Sequence, residues 1–149
     1  MSEGQDMSER SDQLLNLGSG AMVAAASRAV VGLYRPLLEP LNLTHPQYLA
    51  LLALDHPAPQ SCIRVAATLR LSAGTMTPIL KRLDVLGLIR RVRNPSDDRE
   101  LELSLTAEGR ELLPALWNVG DEVQQIIRGD DSEVSQLKGL LQHMVATKS

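Results

Sequence analysis

The stretch SAGTMTPILKRLDVL at residues 72–86 decides how the rest of the chain is read. Met76, Ile79, Leu80 and Leu83 recur at three- and four-residue steps, which predicts a helix with one apolar stripe docked on a core. Ser72 is placed as its N-cap. Thr77 and Lys81 fall on the opposite face, with Thr75 and Arg82 on the flank. Short hydroxyls at the head of a helix, with cations one to two turns later, suit an element whose N-terminal end enters a DNA major groove. The hydroxyls meet base edges, and the cations meet phosphates or guanine. Pro78 cannot donate to the carbonyl four residues back and is expected to distort the start of the helix. An ordinary surface helix with solvated charges is the alternative, and these residues alone do not separate the two.

Downstream, Gly87 is suited to ending the helix. Residues 88–93 and 100–105 read as strands, the second alternating Leu with polar residues, and Asn94, Pro95, Ser96 and Asp97 form a turn between them. A hairpin directly after such a helix predicts the wing of a winged helix. Arg99, near the tip, is placed to enter a minor groove, where narrow A·T tracts concentrate negative potential. Asp97 is assigned to hold Arg99 in position, an exposed pairing that contributes little stability.

Upstream, residues 61–69 read as a short helix whose Ile63, Ala66 and Leu69 pack against the first, with Arg70, Leu71 and Ser72 as the turn of a helix-turn-helix. Thr44 caps a helix carrying Pro46 in its first turn and an apolar face over residues 48–54, and residues 56–59 (HPAP) connect the two. Residues 11–38 read as one long Ala-rich helix, ended by Pro36 and Pro40 and weakened at its start by Gly18 and Gly20, at about 1 kcal/mol each relative to Ala. Residues 1–10 are polar and expected to be disordered. Residues 106–128, opening TAEG, and residues 131–146, capped by Asp130 or Asp131 with Glu133 in the first turn, are two further helices. Val134, Leu137, Leu140, Leu141 and Met144 keep helical spacing in the last. A small winged helix cannot cover so much apolar surface, so these helices are expected to bury one another across a two-fold axis. The fold class is mainly α with a small β-hairpin: one domain over residues 11–149, with dimerisation in 11–40 and 106–149 and a winged helix-turn-helix in 44–105.

Composition agrees. A chain of 149 residues is one domain's worth, and with no Phe, one Trp and two Tyr its core must be Leu, Val, Ile, Ala and Met. The net charge is −3, yet residues 64–99 hold eight cations against three carboxylates. A basic segment on an acidic body is the electrostatic footprint of a DNA-reading module. One cysteine excludes an intrachain disulfide. With no secretory leader or long apolar span, it indicates a reducing cytoplasm and no membrane partner. No Cys/His cluster has metal-ligand spacing, so neither metal nor cofactor is expected. His45, His56 and His143 are scattered, and no Ser/His/Asp set or phosphate-cradling Gly loop is present, which argues against an enzyme.

The run GLIRRVRNPSDDR at residues 87–99, followed by LSLTAEG at 103–109, resembles the wing signature of the MarR family of bacterial transcription regulators. YRPLL at 34–38, LTHPQYLALL at 43–52 and SAGTMTPILKRL at 72–83 extend the resemblance over roughly residues 10–145, towards the organic-hydroperoxide-sensing OhrR branch in particular. It implies a homodimer that sets two recognition helices about one DNA turn apart on double-stranded, pseudo-palindromic DNA, and a repressor released by an effector. The DNA-reading residues it implies are Ser72, Ala73, Thr75, Thr77, Lys81, Arg82 and Arg99. Ser72 and Ala73 replace the acid-then-serine pair of the branch. That branch carries a reactive cysteine early in its first helix, hydrogen-bonded by tyrosines. Aligned on Tyr34, the cysteine position falls on Gly20; one tyrosine is kept as Tyr34 and the other falls on Ala24. The usual peroxide switch is therefore missing.

Two sensing routes remain. Cys62 reads as a small buried hydrophobe, as most lone helical cysteines are. The alternative is a thiol beside Arg64 whose pKa the helix N-terminus lowers, open to peroxide. The other route is a small-molecule effector between the dimer helices and the reading head, where Gly18, Gly20 and Ala21 leave room and Met22, Arg28, Tyr34, His45, Tyr48 and Trp117 form the walls. Each wall residue also has a plainer role. Tyr34 and Tyr48 serve as packing anchors, Trp117 as core or interface filler, Arg28 as an ion-pair partner of Glu39 or of an acidic residue of the other subunit, and His45 as a solvent-facing residue before Pro46. A winged helix turned to protein contact is the other reading of the basic surface.

Overall fold

The stripe at residues 76–83 behaves as its spacing predicts: Met76, Ile79, Leu80 and Leu83 are all buried on one side of a helix running Ala73–Val85. The structure, a computed structural model, describes residues 2–94 and 96–147, with the side chains of residues 2, 3, 5, 94, 97, 98 and 99 outside that description. The elements in order are α1 (Ser2–Leu17), α2 (Ser19–Leu38), a 3-10 turn (Glu39–Leu41), α3 (His45–Ala53), β1 (Gln60–Ser61), α4 (Cys62–Leu69), α5 (Ala73–Val85), β2 (Ile89–Asn94), β3 (Asp97–Leu105), α6 (Ala107–Ile126) and α7 (Asp131–Ala146).

Local hydrogen-bond chemistry sets most of these boundaries. Thr44 and Gln47 form a reciprocal capping box on α3, and Asp130 and Glu133 form another on α7. Ser61, Ser72 and Thr106 cap α4, α5 and α6 by accepting the backbone N–H three residues on. At the end of α5, Gly87 adopts φ 73°, its N–H reaches the Asp84 carbonyl at 2.9 Å, and the Leu88 N–H reaches the Leu83 carbonyl at 3.0 Å. This glycine-dependent stop turns the chain straight into the hairpin. α5 continues through Pro78, which lies inside the helix. Four buried side chains on the far side of the helix outweigh the one backbone bond lost.

The core lies in the reading head. Leu51, Leu54, Val65, Met76, Leu80, Leu83, Ile89, Leu103 and Leu116 bring α3 to α6 and the sheet together, and Leu38 pins the end of α2 to them. Burying each such side chain is worth about 1.5–3 kcal/mol. The sheet is antiparallel in the order β1–β3–β2, with Gln60 and Arg91 flanking Leu103 and a register shift between Arg93 and Asn94. Its third strand, β1, is two residues long and straddles the junction of the predicted connector and third helix.

The N-terminal half departs further from expectation. Residues 2–10 are helical, not disordered, with an Asp6–Arg10 ion pair of 2.7 Å one turn apart and the Ser11 hydroxyl donating to the Met7 carbonyl. Gly18, at φ 99°, breaks the anticipated long helix in two. Pro36 lies inside α2 and does not end it; the helix runs on to Leu38, which is buried. Residues 19–41 are also long and apolar enough to cross a membrane, contrary to the absence of such a span read from the sequence. The end of this span, however, is built into the head core through Leu38, with Tyr34 and Leu37 packed against it.

Candidate nucleic-acid interface

On α5 the face opposite the core carries Ser72, Ala73, Thr75, Thr77, Lys81 and Arg82, all exposed. Part of their hydrogen-bonding capacity is spent locally. The Ser72 hydroxyl accepts the Thr75 N–H at 3.2 Å and shares a 2.9 Å hydrogen bond with the Thr75 hydroxyl, while the Thr77 hydroxyl donates to the Ala73 carbonyl at 3.0 Å. Ser72 is therefore first a helix cap. Lys81 and Arg82, one turn on, complete the exposed face.

The hairpin adds cations beside this helix. Arg90, Val92 and Arg93 are exposed. Arg91, in contrast, turns inward and donates from Nε at 3.1 Å and from Nη2 at 2.9 Å to one oxygen of Asp84 on α5. Arg70 is also committed to the fold: it sits at φ 55° at the end of α4 and donates from Nη1 to the Val145 carbonyl at 2.8 Å. There it satisfies an otherwise free carbonyl in the last turn of α7. The Arg99 and Asp97 side chains, and the pairing expected between them, lie outside the described residues.

The hairpin base is fastened to the next helix. The Thr106 hydroxyl donates to the Gly87 carbonyl at 2.6 Å and accepts the Gly109 N–H at 3.1 Å, and the Thr106 N–H reaches the Leu88 carbonyl at 3.1 Å. A Cβ at Gly109 would fall on that Leu88 carbonyl oxygen. The TAEG stretch thus joins the C-terminus of α5 and the start of β2 to α6, a role its sequence did not disclose.

Of the six expected pocket residues, the fold assembles three. Tyr34 on α2 meets His45 and Tyr48 on α3, with ring centroids 4.7 and 5.3 Å away, and His45 lies 6.0 Å from Tyr48. His45 is half-buried between the tyrosines, not solvent-facing as expected, and this burial lowers its pKa. Burial, then the neighbouring Tyr34 and the Asp121 carboxylate, push the Tyr48 hydroxyl up to about 12. Met22 is half-buried on α2, and Arg28 is exposed there and unpaired with Glu39. Trp117 is 51% exposed and donates from Nε1 to Asp55 at 3.0 Å, so it fills no core. An open groove of about 810 Å³ lies nearby, but α6, α7 and the loop between them line it through Asp121, Gln124, Arg128, Leu137 and Lys138; Tyr34 alone of the six expected residues borders it.

Cys62 packs partly against the core, and burial raises its thiol pKa. This is opposite to the activation that a peroxide-reactive thiol requires. No group of three or more His, Cys, Asp or Glu side chains suited to a metal occurs among the described residues.

Residues 43–101 match the MarR family. The organic hydroperoxide resistance transcriptional regulator of Bacillus subtilis (strain 168) is 35% identical over 126 residues, covering 85% of this chain and 86% of that protein. Among solved structures, reduced AbfR bound to DNA is 28% identical with a TM-score of 0.68, covering 97% of this chain and 99% of that one. The transcriptional repressor CouR bound to a 23-mer DNA duplex is 27% identical with a TM-score of 0.75, covering 87% and 94%.

Proposed function

This chain belongs to the MarR family, and from that membership we propose that it is a homodimeric, sequence-specific transcription regulator that binds double-stranded DNA and acts as a repressor. The observation that carries the reading is the two-sidedness of α5. One face is sunk in the core through Met76, Ile79, Leu80 and Leu83, which leaves Thr77, Lys81 and Arg82 outward beside a hairpin bearing exposed Arg90 and Arg93. Ser72, Ala73, Thr75 and Thr77 meet base edges, Lys81 and Arg82 meet phosphate or guanine, and Arg99, on sequence grounds, enters the minor groove.

Dimerisation is assigned to α2, α6 and α7. Val31, Ile126, Leu137, Leu140 and Met144 stand exposed on them in the single chain, more apolar surface than an isolated domain leaves open. Such a regulator works in the cytoplasm, without cofactor or catalysis. Its release is assigned to a small molecule at the junction of α2, α3 and α6, where Tyr34, His45 and Tyr48 meet. That ligand can shift the spacing of the two recognition helices only by its difference in affinity for the two states. The half-buried thiol of Cys62, its pKa raised by desolvation, disfavours the peroxide alternative.

The test is the salt dependence of binding. Each phosphate contact contributes about 0.9 to the slope of log K against log salt, so Lys81→Ala in both subunits lowers the slope by about 1.8. An unchanged slope and affinity would remove Lys81 from the interface. Binding of an acidic protein with no affinity for any duplex would favour the protein-contact reading of the same surface.

A further inference from the structure

Asp84 and Arg91 have no part in the contacts assigned above, yet they are placed where the two reading elements meet. In the hairpin register Arg91 stands opposite fully buried Leu103, on the inner side of the sheet with Ile89. From there its guanidinium crosses to α5 and gives two hydrogen bonds to one Asp84 oxygen, the side chains being 28% and 41% exposed. Asp84 follows Lys81 by three residues and Thr77 by seven, so it continues the outward side of α5. An uncompensated carboxylate there would face DNA phosphates.

The hairpin base is already held by Gly87, Thr106 and Gly109. The Asp84–Arg91 pair braces the hairpin one step further out, before the register shift at Arg93 and Asn94. A planar guanidinium fork fixes orientation in a way a single ammonium does not.

We propose that Asp84 and Arg91 are positioning residues that set the angle between the hairpin and α5, and through it the spacing between major- and minor-groove contacts. The inference rests on the DNA-reading function proposed above and names what tunes its specificity. A pair this exposed adds little stability, so its removal acts on recognition more than on folding.

The experiment uses the full chain and two labelled duplexes: one selected by the parent protein from a random-sequence pool, and a shuffled duplex of the same composition. If charge alone mattered, Arg91→Met would weaken binding to both duplexes and Asp84→Asn, which frees a cation, would tighten both. Positioning predicts instead that both substitutions lower the ratio of specific to nonspecific affinity, by about tenfold each, with thermal midpoints close to the parent's. The swapped pair Asp84→Arg with Arg91→Asp should return the ratio to within about threefold of the parent. Asp84→Asn is nearly isosteric and serves if Arg91→Met does not fold. An unchanged ratio in Asp84→Asn overturns the inference while leaving the DNA-reading function intact. A parent protein that selects no duplex at all overturns both.

Discussion

Replacing Gly109 by alanine tests the joint between the reading head and α6. The added Cβ falls on the Leu88 carbonyl oxygen, with the Leu105 side chain at 3.3 Å behind it. The obstacle is backbone, so relief requires the start of α6 to move by on the order of an ångström, an overpacking cost of about 1–3 kcal/mol. That movement also loosens the Thr106 hydrogen bonds to Gly87 and Leu88, each worth about 1 kcal/mol. Alanine's better helix propensity returns about 1 kcal/mol, leaving a net loss of about 2–4 kcal/mol. For a chain of this size the thermal midpoint should fall by roughly 5–15 °C. Gly74→Ala is the control: its Cβ would meet only the Ser72 hydroxyl at 4.0 Å, and it should stabilise by up to about 1 kcal/mol. Thermal unfolding followed by circular dichroism, without DNA, measures both. A Gly109→Ala midpoint equal to or above the parent's would refute the close approach.

Two further outcomes follow from the burial of single side chains. Burial lowers the His45 pKa, so above the ordinary histidine value of 6.5 its stability contribution is intact, and below it the unfolded chain binds the extra proton and stability is lost as the pH falls. His45→Phe should flatten the fall in thermal midpoint below that pH; an unaltered pH profile would mean that His45 is not the group responsible. For Cys62, whose thiol burial pushes up, mass spectrometry after exposure to an organic hydroperoxide should find it unmodified, and Cys62→Ala should bind DNA as the parent does. Sulfenic acid or disulfide at Cys62, with DNA release that the alanine variant lacks, would restore the redox reading.

What the sequence disclosed was what local chemistry encodes. The α5 stripe and the caps at Thr44, Ser72 and Asp130 each act within one turn, so their spacing is visible in the chain. Arg91 to Asp84, Trp117 to Asp55 and Arg70 to Val145 join residues 7, 62 and 75 apart, and no periodicity announces them. The basic segment was legible as a sum but not in its division. Arg91 and Arg70 serve the fold, whereas Lys81, Arg82 and Arg90 remain outward. The helical state of residues 2–10 escaped because polar composition was read as disorder, although an acid and an arginine four apart support a helix. Gly18 and Gly20 read alike in sequence; only Gly18 takes the positive φ that breaks the helix. The grouping of the expected pocket residues was likewise not legible from spacing. Tyr34, His45 and Tyr48 lie on helices whose crossing brings them together, whereas Met22 and Arg28 lie further along α2.

The most direct test of the central claim is fluorescence anisotropy of the full chain with labelled DNA from upstream of its own gene, titrated against unlabelled specific and shuffled competitors, before and after adding an organic hydroperoxide. The account predicts saturable binding displaced by the specific competitor at concentrations about a thousandfold below those needed of the shuffled one, and unaffected by the peroxide. Equal displacement by both competitors would contradict sequence-specific reading by α5 and the hairpin.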